Sequence, residues 1–175
     1  MSQPSQPDSL FSAAELAQLT TYLESHVADF IGPITLDKFA GGQSNPTYKV
    51  NAASGVYVLR RQPPGQLLKS AHAVDREYRV LDALKDSDVP VAEVYHLCTD
   101  TDVIGSMFYL MAFCHGQVFW SPSLEEVDDN ATRAAMYDAM NKTLAALHSV
   151  DINACGLADY GKPGNYFKRQ LSRWT

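Results

Sequence analysis

The chain has 175 residues, of which 46% are hydrophobic and 19% charged, a composition typical of one globular domain or of part of a larger protein. Its net charge of -6 argues against a nucleic-acid partner, because such a surface needs a basic patch. The most apolar stretch, residues 103–114, is shorter than the roughly 20 residues that span a bilayer, and no charged-then-apolar leader opens the chain. We therefore expect a cytoplasmic protein without a membrane partner.

The three cysteines, Cys98, Cys114 and Cys155, are odd in number and widely spaced. They form no CxxC pair and no Cys/His spacing of the kind that binds zinc. We predict free thiols, as in a reducing compartment, and no metal site within these 175 residues.

The predicted elements begin with an amphipathic helix over residues 13–30. It opens on SAAE (residues 12–15), which has the form of a capping box, and its apolar residues recur at helical spacing. Gly32-Pro33 ends the helix. Three strand-like runs follow, at residues 34–40, 46–52 and 55–61.

The rest of the pattern contains two more strands and three helices. A helix over residues 71–85 is followed by strands over 93–99 and 106–113. A long helix over 129–148 has an apolar seam, and YFKRQLSRWT, at 166–175, resembles the start of another helix. The seam residues are Met136, Met140, Leu144 and Leu147.

The arrangement of these elements indicates two parts. Adjacent strands joined by short turns favour an antiparallel sheet. A composition shift near residues 115–122 indicates a hinge between a sheet-rich part and a helical part. We therefore predict a sheet-rich lobe with a leading helix over residues 1–114 and a helical part over 115–175.

Three features of the sheet-rich part occur in an order that fits a phosphate site. A glycine turn at residues 41–45 lies between the first two strands, Arg60 lies near the end of the third, and Glu77 lies in the next helix. Taken singly, they have structural explanations: a tight turn, a solvated strand arginine and a surface helix charge. Taken in order, they would let a carboxylate hold a cation over a backbone-lined phosphate site. Arg61, on the other face of the strand, is the alternative cation.

Six stretches, spread in order along the chain from about residue 39 to 174, carry a family resemblance: GGQSNPTYKV, YVLRRQPPGQLLKSAHAVDREYRVLDAL, VPVAEVYHLC, GSMFYLMAFCHGQVFW, LAALHSVD and GLADYGKPGNYFKRQLSRW. With them the sequence resembles the amino-terminal lobe of the aminoglycoside-phosphotransferase-like branch of the protein-kinase-like fold. Within that branch it is similar to the kinase-like domains found beside, or fused to, acyl-CoA dehydrogenases. The resemblance implies an α+β fold: a five-stranded antiparallel sheet with a packed helix, a leading helix, and the first helices of a C-terminal lobe.

The resemblance also implies a nucleotide site. The glycine turn would cover the phosphates with backbone N–H groups, Arg60 would stand where kinases carry the phosphate-contacting lysine, and Glu77 would be its ion-pair partner. The hinge would be MAFC, at 111–114, where adenine would bond to the Ala112 carbonyl and the Cys114 amide. The turn residues are Gly41, Gly42, Gln43, Ser44 and Asn45.

The site departs from the kinase pattern in two ways. There is no GxGxxG, so the match of the turn rests on its position. The cation is arginine, whose planar fork can engage two phosphate oxygens, whereas lysine is a point charge.

The catalytic loop of a kinase is missing from the sequence. That loop reads H-x-D-x-x-x-x-N and is followed by a metal-binding Asp. HSVDIN, at 148–153, has one residue too many before its Asp, and DYG, at 159–161, follows too soon after it, so we predict structural roles for both. We assign no catalytic and no metal-binding residue. We expect a truncated, inactive portion of a longer protein, with the Mg²⁺ ligands beyond residue 175.

We predict that the parent protein is an ATP-dependent phosphotransferase that requires Mg²⁺ and phosphorylates a hydroxyl group of a small molecule. The alternative is a non-catalytic nucleotide-binding or interaction module, a degenerate kinase that works with an acyl-CoA dehydrogenase. A plain structural α+β domain is a third interpretation. Because half a kinase leaves an apolar lobe interface exposed, we also expect a homo-oligomer.

Overall fold

The computed structural model describes residues 11–40, 45–63, 65, 72–161 and 164–174. The predicted α+β fold is confirmed, and each predicted helix and strand is present with its ends shifted by at most a few residues. The elements are α1 (Ala13–His26), β1 (Thr35–Lys38), β2 (Thr47–Ala52), β3 (Gly55–Arg61), α2 (Val74–Leu84), β4 (Val94–Cys98), β5 (Phe108–Ala112), α3 (Asn130–His148) and α4 (Tyr166–Trp174).

The ends of the first two helices have local causes. The predicted capping box of α1 is present: the Ser12 hydroxyl accepts a hydrogen bond from the Glu15 N–H, and the Glu15 carboxylate accepts one from the Ser12 N–H. α1 ends at His26, before the predicted residue 30, because the next residue is already extended. α2 begins only at Val74 because His72 has a φ of 59°, in the left-handed region that a right-handed helix excludes.

The five strands form one antiparallel sheet in the order β1-β2-β3-β5-β4. Thr47 of β2 lies opposite Arg60 of β3, and Arg60 in turn lies opposite Tyr109 of β5. Directly opposed residues share a face of the sheet, so these three side chains form one row across three strands. α2 packs against β4 and β5 on the face that carries this row.

The main hydrophobic core lies on the other face, between the sheet and α1. Leu19 and Leu23 of α1 are completely buried there. The strand residues that pack with them include Val50, Leu59, Cys98, Phe108 and Leu110. The core therefore covers the α1 face of the sheet, and the opposite face, which carries the Thr47–Arg60–Tyr109 row, can hold polar groups.

The second part of the chain is helical and thinly packed. Residues 113–129 contain no helix or strand, and neither α3 nor α4 has a buried residue. The predicted seam of α3 lies largely at the surface, with Met140 62% and Leu144 50% exposed. The predicted boundary after residue 114 stays a prediction. Among the helices in the described ranges, none is long and apolar enough to cross a membrane.

Candidate functional site

Arg60 and Glu77 form a two-contact ion pair on the α2 face of the sheet. The Arg60 Nε lies 2.6 Å from Glu77 Oε2, and the Arg60 Nη2 lies 3.3 Å from Oε1. The side chains are 28% and 35% exposed, so the pair is partly withdrawn from water. A guanidinium that meets both oxygens of a carboxylate is a stronger and more directional partner than a single point contact. The ion pair predicted from the sequence is therefore present.

Two further side chains donate hydrogen bonds to the Glu77 carboxylate. Asn45 Nδ2 lies 2.9 Å from Oε1, and the Tyr109 hydroxyl lies 3.2 Å from Oε2. Each carboxylate oxygen thus accepts from Arg60 and from one neutral donor. These contacts fix the orientation of the carboxylate on three elements: the end of the glycine turn, β3 and β5.

The contacts keep both members of the pair charged. Burial raises the pKa of Glu77, but the hydrogen bond and charge of Arg60, together with the bonds from Asn45 and Tyr109, outweigh it, so that the pKa lies below its ordinary value. The hydrogen bond from Arg60 to Glu77 raises the pKa of Arg60 despite partial burial. Burial and the neighbouring Glu77 charge raise the pKa of Tyr109, which stays a neutral donor.

The Arg60 guanidinium is also attached to β2 and to the end of the glycine turn. Its Nη1 donates to the Thr47 hydroxyl at 2.9 Å and to the Asn45 carbonyl at 3.4 Å. A guanidinium has five N–H donors. The contacts found within the described ranges use about four of them, which leaves one Nη2 hydrogen without a partner among the described residues.

Asn45, the last residue of the predicted glycine turn, is bonded to α2 and to His72 just before it. Its side chain is buried, with 4% exposure. Because Asn45 Nδ2 donates to Glu77, its Oδ1 must be the acceptor for the His72 Nδ1, 3.0 Å away. The Gln62 side chain donates to the His72 carbonyl at 3.0 Å, which ties this link to the end of β3. The other four predicted turn residues, Gly41, Gly42, Gln43 and Ser44, lie outside the described residues.

The predicted hinge residues lie at the end of β5 and just after it. The Ala112 amide donates to the Glu93 carbonyl at 2.8 Å, and Cys114 is exposed. The ring of Phe113, between them, lies nearly parallel to that of Phe39, with 6.4 Å between centroids. The Lys49 ammonium nitrogen lies 5.4 Å from the Phe113 centroid. Their role in binding adenine stays a prediction.

The alternative cation, Arg61, lies on the α1 face. It is 8% exposed, donates from Nε to the Ser106 hydroxyl at 2.9 Å, and lies 5.3 Å from the centroid of the Phe11 ring. Burial lowers the pKa of Arg61. Arg61 therefore lies on the opposite face of the sheet from Arg60 and Glu77.

The two stretches that imitate kinase motifs both make structural contacts, one with its own turn and one with α2. The Asp151 carboxylate of HSVDIN accepts hydrogen bonds from the amides of Asn153 and Ala154, which lower its pKa. Asp159 of DYG forms an ion pair with Arg79 of α2. Over the ranges that the structure describes, no group of three or more His, Cys, Asp or Glu side chains is placed to hold a metal ion.

Sequence reasoning placed Arg60 and Glu77 but missed four of the side chains around them: Thr47, His72, Tyr109 and the amide of Asn45. Asn45 was predicted only as a backbone donor of the turn. Thr47 and Tyr109 become visible once the strand register is known, because both lie directly opposite Arg60. No sequence signal marks His72, whose contact depends on its left-handed backbone.

Comparison with known proteins supports a single family. The profile of the phosphotransferase enzyme family (APH) matches residues 35–175. The Arabidopsis thaliana protein named "Probable acyl-CoA dehydrogenase IBR3" is 51% identical over 144 residues, which cover 79% of this chain and 17% of the relative. Acyl-CoA dehydrogenase family member 10 of Mus musculus is 46% identical over 144 residues, 82% of this chain and 13% of the relative. Acyl-CoA dehydrogenase family member 11 of Homo sapiens is 39% identical over 161 residues, which cover 90% of this chain and 20% of the relative.

A solved structure agrees with these matches. A Ralstonia eutropha JMP134 protein, named in its crystal structure as an aminoglycoside phosphotransferase, is 48% identical with a TM-score of 0.77. The match covers 90% of this chain and 45% of that protein. The chain thus spans a fifth or less of these curated relatives and under half of the solved protein. The resemblance predicted from the sequence is confirmed: the chain belongs to the phosphotransferase enzyme family and has its kinase-like fold.

Proposed function

We propose that this chain forms the nucleotide-binding part of an ATP-dependent phosphotransferase that phosphorylates a hydroxyl group of a small molecule. The observation that carries the proposal is the Arg60–Glu77 pair, held by Asn45 and Tyr109 on the sheet face beside the glycine turn. The family supports phosphoryl transfer in general, and the site supports a triphosphate as the ligand.

The residues of the site fit a phosphate group. Arg60 is charged at every physiological pH, and its contacts with the described residues leave one N–H that can donate to a phosphate oxygen while the bonds to Glu77 are kept. Glu77 orients the guanidinium and prevents it from folding over the ligand. We infer that residues 41–45 add backbone N–H donors to the phosphates, and that the Ala112 carbonyl and the Cys114 amide bind the adenine edge.

We place the transfer chemistry in the longer protein. ATP supplies the phosphoryl group, and Mg²⁺ neutralises charge on its phosphates. No H-x-D-x-x-x-x-N occurs in the printed sequence, and we therefore propose that the group that orients the acceptor hydroxyl and the Mg²⁺ ligands are supplied outside these 175 residues. The net charge of -6 favours a small-molecule acceptor over a nucleic acid, and the three free cysteines favour the cytoplasm.

A second candidate function follows from the names of the relatives. Three of them are named as acyl-CoA dehydrogenases, of which this chain matches only a small share. A kinase-like module could bind a nucleotide there without transferring phosphate and act on the dehydrogenase as a partner domain. We keep this degenerate-kinase interpretation as the alternative.

Titration calorimetry with Mg-ATP tests the proposed site. We expect the Arg60→Ala variant of the longer protein to stay folded and to bind Mg-ATP about 10- to 100-fold more weakly, because one hydrogen bond between charged groups contributes about 1.5–3 kcal/mol. Arg173→Ala, which removes an exposed arginine of α4, is the matched control and should bind Mg-ATP as tightly as the unsubstituted protein. If the affinity of Arg60→Ala falls only together with its melting temperature, the role of Arg60 is merely structural.

The enzyme and the degenerate module are separated by ATP turnover. We expect the longer protein to consume ATP when a hydroxylated small molecule is supplied. Binding of Mg-ATP without consumption in the presence of any such acceptor would favour a nucleotide-binding module. Absence of binding would contradict the enzyme and leave only an interaction module.

A further inference from the structure

Two arginines on the exposed side of α2 hold a loop from the second part of the chain. Arg79 forms an ion pair with Asp159, and its Nη2 donates to the Gly156 carbonyl at 2.7 Å. Arg76 donates from Nη2 to the Tyr160 carbonyl at 2.8 Å, and its guanidinium lies 4.0 Å from the centroid of the Tyr160 ring. We call residues 156–160 the clasp loop. Arginines three positions apart lie on one side of a helix, so both reach the same loop.

Backbone hydrogen bonds hold the clasp loop in a defined conformation, so the two arginines bind a fixed partner. The Cys155 amide donates to the Asp151 carbonyl at 3.1 Å, the Leu157 amide to the Ile152 carbonyl at 2.8 Å, and the Tyr160 amide to the Leu157 carbonyl at 2.9 Å. The Asp151 carboxylate closes the turn before the loop. The carbonyls that accept from Arg76 and Arg79 therefore belong to a series of hydrogen-bonded turns.

α2 needs such an external support more than α1 does. It has 11 residues, a length at which an isolated helix is marginal. Its N-cap residue, Ala73, makes no side-chain capping bond, whereas α1 has a complete capping box. Its fully buried apolar anchors, Val74 and Leu84, lie at its two ends. Glu77 lies between them, flanked by the two arginines of the clasp.

We propose that Arg76 and Arg79 are positioning residues, which grip the clasp loop and thereby keep α2 where Glu77 meets Arg60. A single exposed ion pair contributes little, but four contacts from two guanidinium groups to one braced loop restrain the helix in several directions. The second part of the chain thus acts on the site through α2. The consequence for nucleotide binding rests on the proposed function, whereas the consequence for α2 does not.

Hydrogen exchange tests the clasp without any nucleotide. In Arg79→Ala and in Asp159→Ala we expect the α2 amides and the Arg60 Nε–H, followed by NMR, to exchange roughly three to ten times faster, because the helix opens more often. The double variant should add little to Arg79→Ala alone, since the ion pair that Asp159→Ala removes is already lost in Arg79→Ala. Amides of β2 and β3 should keep their rates.

Lys85→Ala is the matched control, because it breaks the Lys85–Asp82 ion pair within the same helix and leaves the clasp loop untouched. Unchanged exchange in α2 after Arg79→Ala, or an equal increase after Lys85→Ala, would overturn the proposal. So would faster α2 amides with an unaltered Arg60 Nε–H, because Glu77 would then be positioned independently of the clasp.

Mg-ATP titration of the same variants separates this proposal from the proposed function. If the clasp positions the site, the affinity for Mg-ATP should fall about threefold to tenfold in Arg79→Ala, by about the same factor as the exchange of the α2 amides rises. If the parent chain binds no nucleotide, the proposed function fails, and the exchange data still decide whether the clasp holds α2.

Discussion

The Glu77 carboxylate is fixed by residues from three separate parts of the chain. Arg60 comes from β3, Tyr109 from β5 and Asn45 from the end of the glycine turn. A carboxylate restrained in this way holds its cation in one place before a ligand arrives, which reduces the ordering cost of binding. Through the same contacts, the charge of Glu77 contributes to the free energy of unfolding of the protein.

This linkage predicts an acid-sensitive contribution from Glu77. Its pKa in the folded protein is lowered, so the stabilisation is complete above the ordinary carboxyl pKa of about 4.3 and is lost as the pH falls through the lower folded value. We expect Glu77→Gln to reduce the free energy of unfolding by about 1–2 kcal/mol at neutral pH, a modest figure because the pair is partly exposed. Urea unfolding at pH 7 and near pH 3 measures the difference, which should shrink on acidification.

Glu126→Gln is the control for this measurement, because it removes the same charge from an exposed position outside the site. A difference between Glu77→Gln and the parent that stays constant or grows as the pH falls would contradict the role assigned to the ion pair.

Sequence reasoning reached the residues of the site unevenly, for identifiable reasons. Arg60 and Glu77 were accessible because each occupies a position in an ordered series of elements. Thr47 and Tyr109 were not, because their closeness to Arg60 depends on strand register, which the turn sequences only roughly define. Arg76 and Arg79 were beyond reach, since their partners lie about 80 positions further along the chain.

At the level of elements, each side of the sheet is supported by a different helix, and the two helices begin differently. α1 packs on the face away from the site and starts with a capping box. α2 carries Glu77 and starts after the left-handed His72. The sequence predicted the first start correctly because SAAE is a local signal, and it placed the second about three residues too early because backbone angles leave no such signal.

Removing the capping box should lower the stability of the protein without altering the Arg60–Glu77 pair. We expect Ser12→Ala to lower the free energy of unfolding by about 1 kcal/mol, because it removes the acceptor for the Glu15 amide at the start of α1. Mg-ATP affinity should not change, since α1 packs behind the sheet. Chemical denaturation and calorimetry on the same variant measure the two quantities.

Ser25→Ala serves as the comparison, because this exposed serine of α1 bonds, among the described residues, to carbonyls of its own helix and to the neighbouring His26. It should have a much smaller effect on stability. Equal destabilisation by the two substitutions, or a weakened affinity in Ser12→Ala, would show that the two sides of the sheet are not independent.

At the scale of the whole molecule, the two parts of the chain are unequally packed. The sheet-rich part contains the main core, whereas α3 and α4 bury no residue completely enough to belong to it. The apolar seam of α3 was predicted from helical spacing, but its environment was not, because burial depends on what lies opposite. The solved relative is more than twice as long as the region it shares with this chain.

We propose that the 175-residue polypeptide associates with itself through the seam of α3, as an exposed apolar stripe favours. Met140 and Leu144 lie at its centre and are at least half exposed. We expect the double variant Met140→Glu, Leu144→Glu to be monomeric in sedimentation equilibrium at concentrations where the parent chain forms dimers or larger species. Burying two carboxylates in an apolar contact without partners costs more than the contact contributes.

The matched control places the same two charges on the opposite side of the helix, with Ala135→Glu and Ala145→Glu, and should associate as the parent does. If the parent polypeptide is monomeric throughout, or if both double variants dissociate equally, the seam is not the contact. Association limited to the seam would leave the Arg60–Glu77 pair uncovered, because the pair lies on the sheet between β3 and α2 and the seam lies in α3.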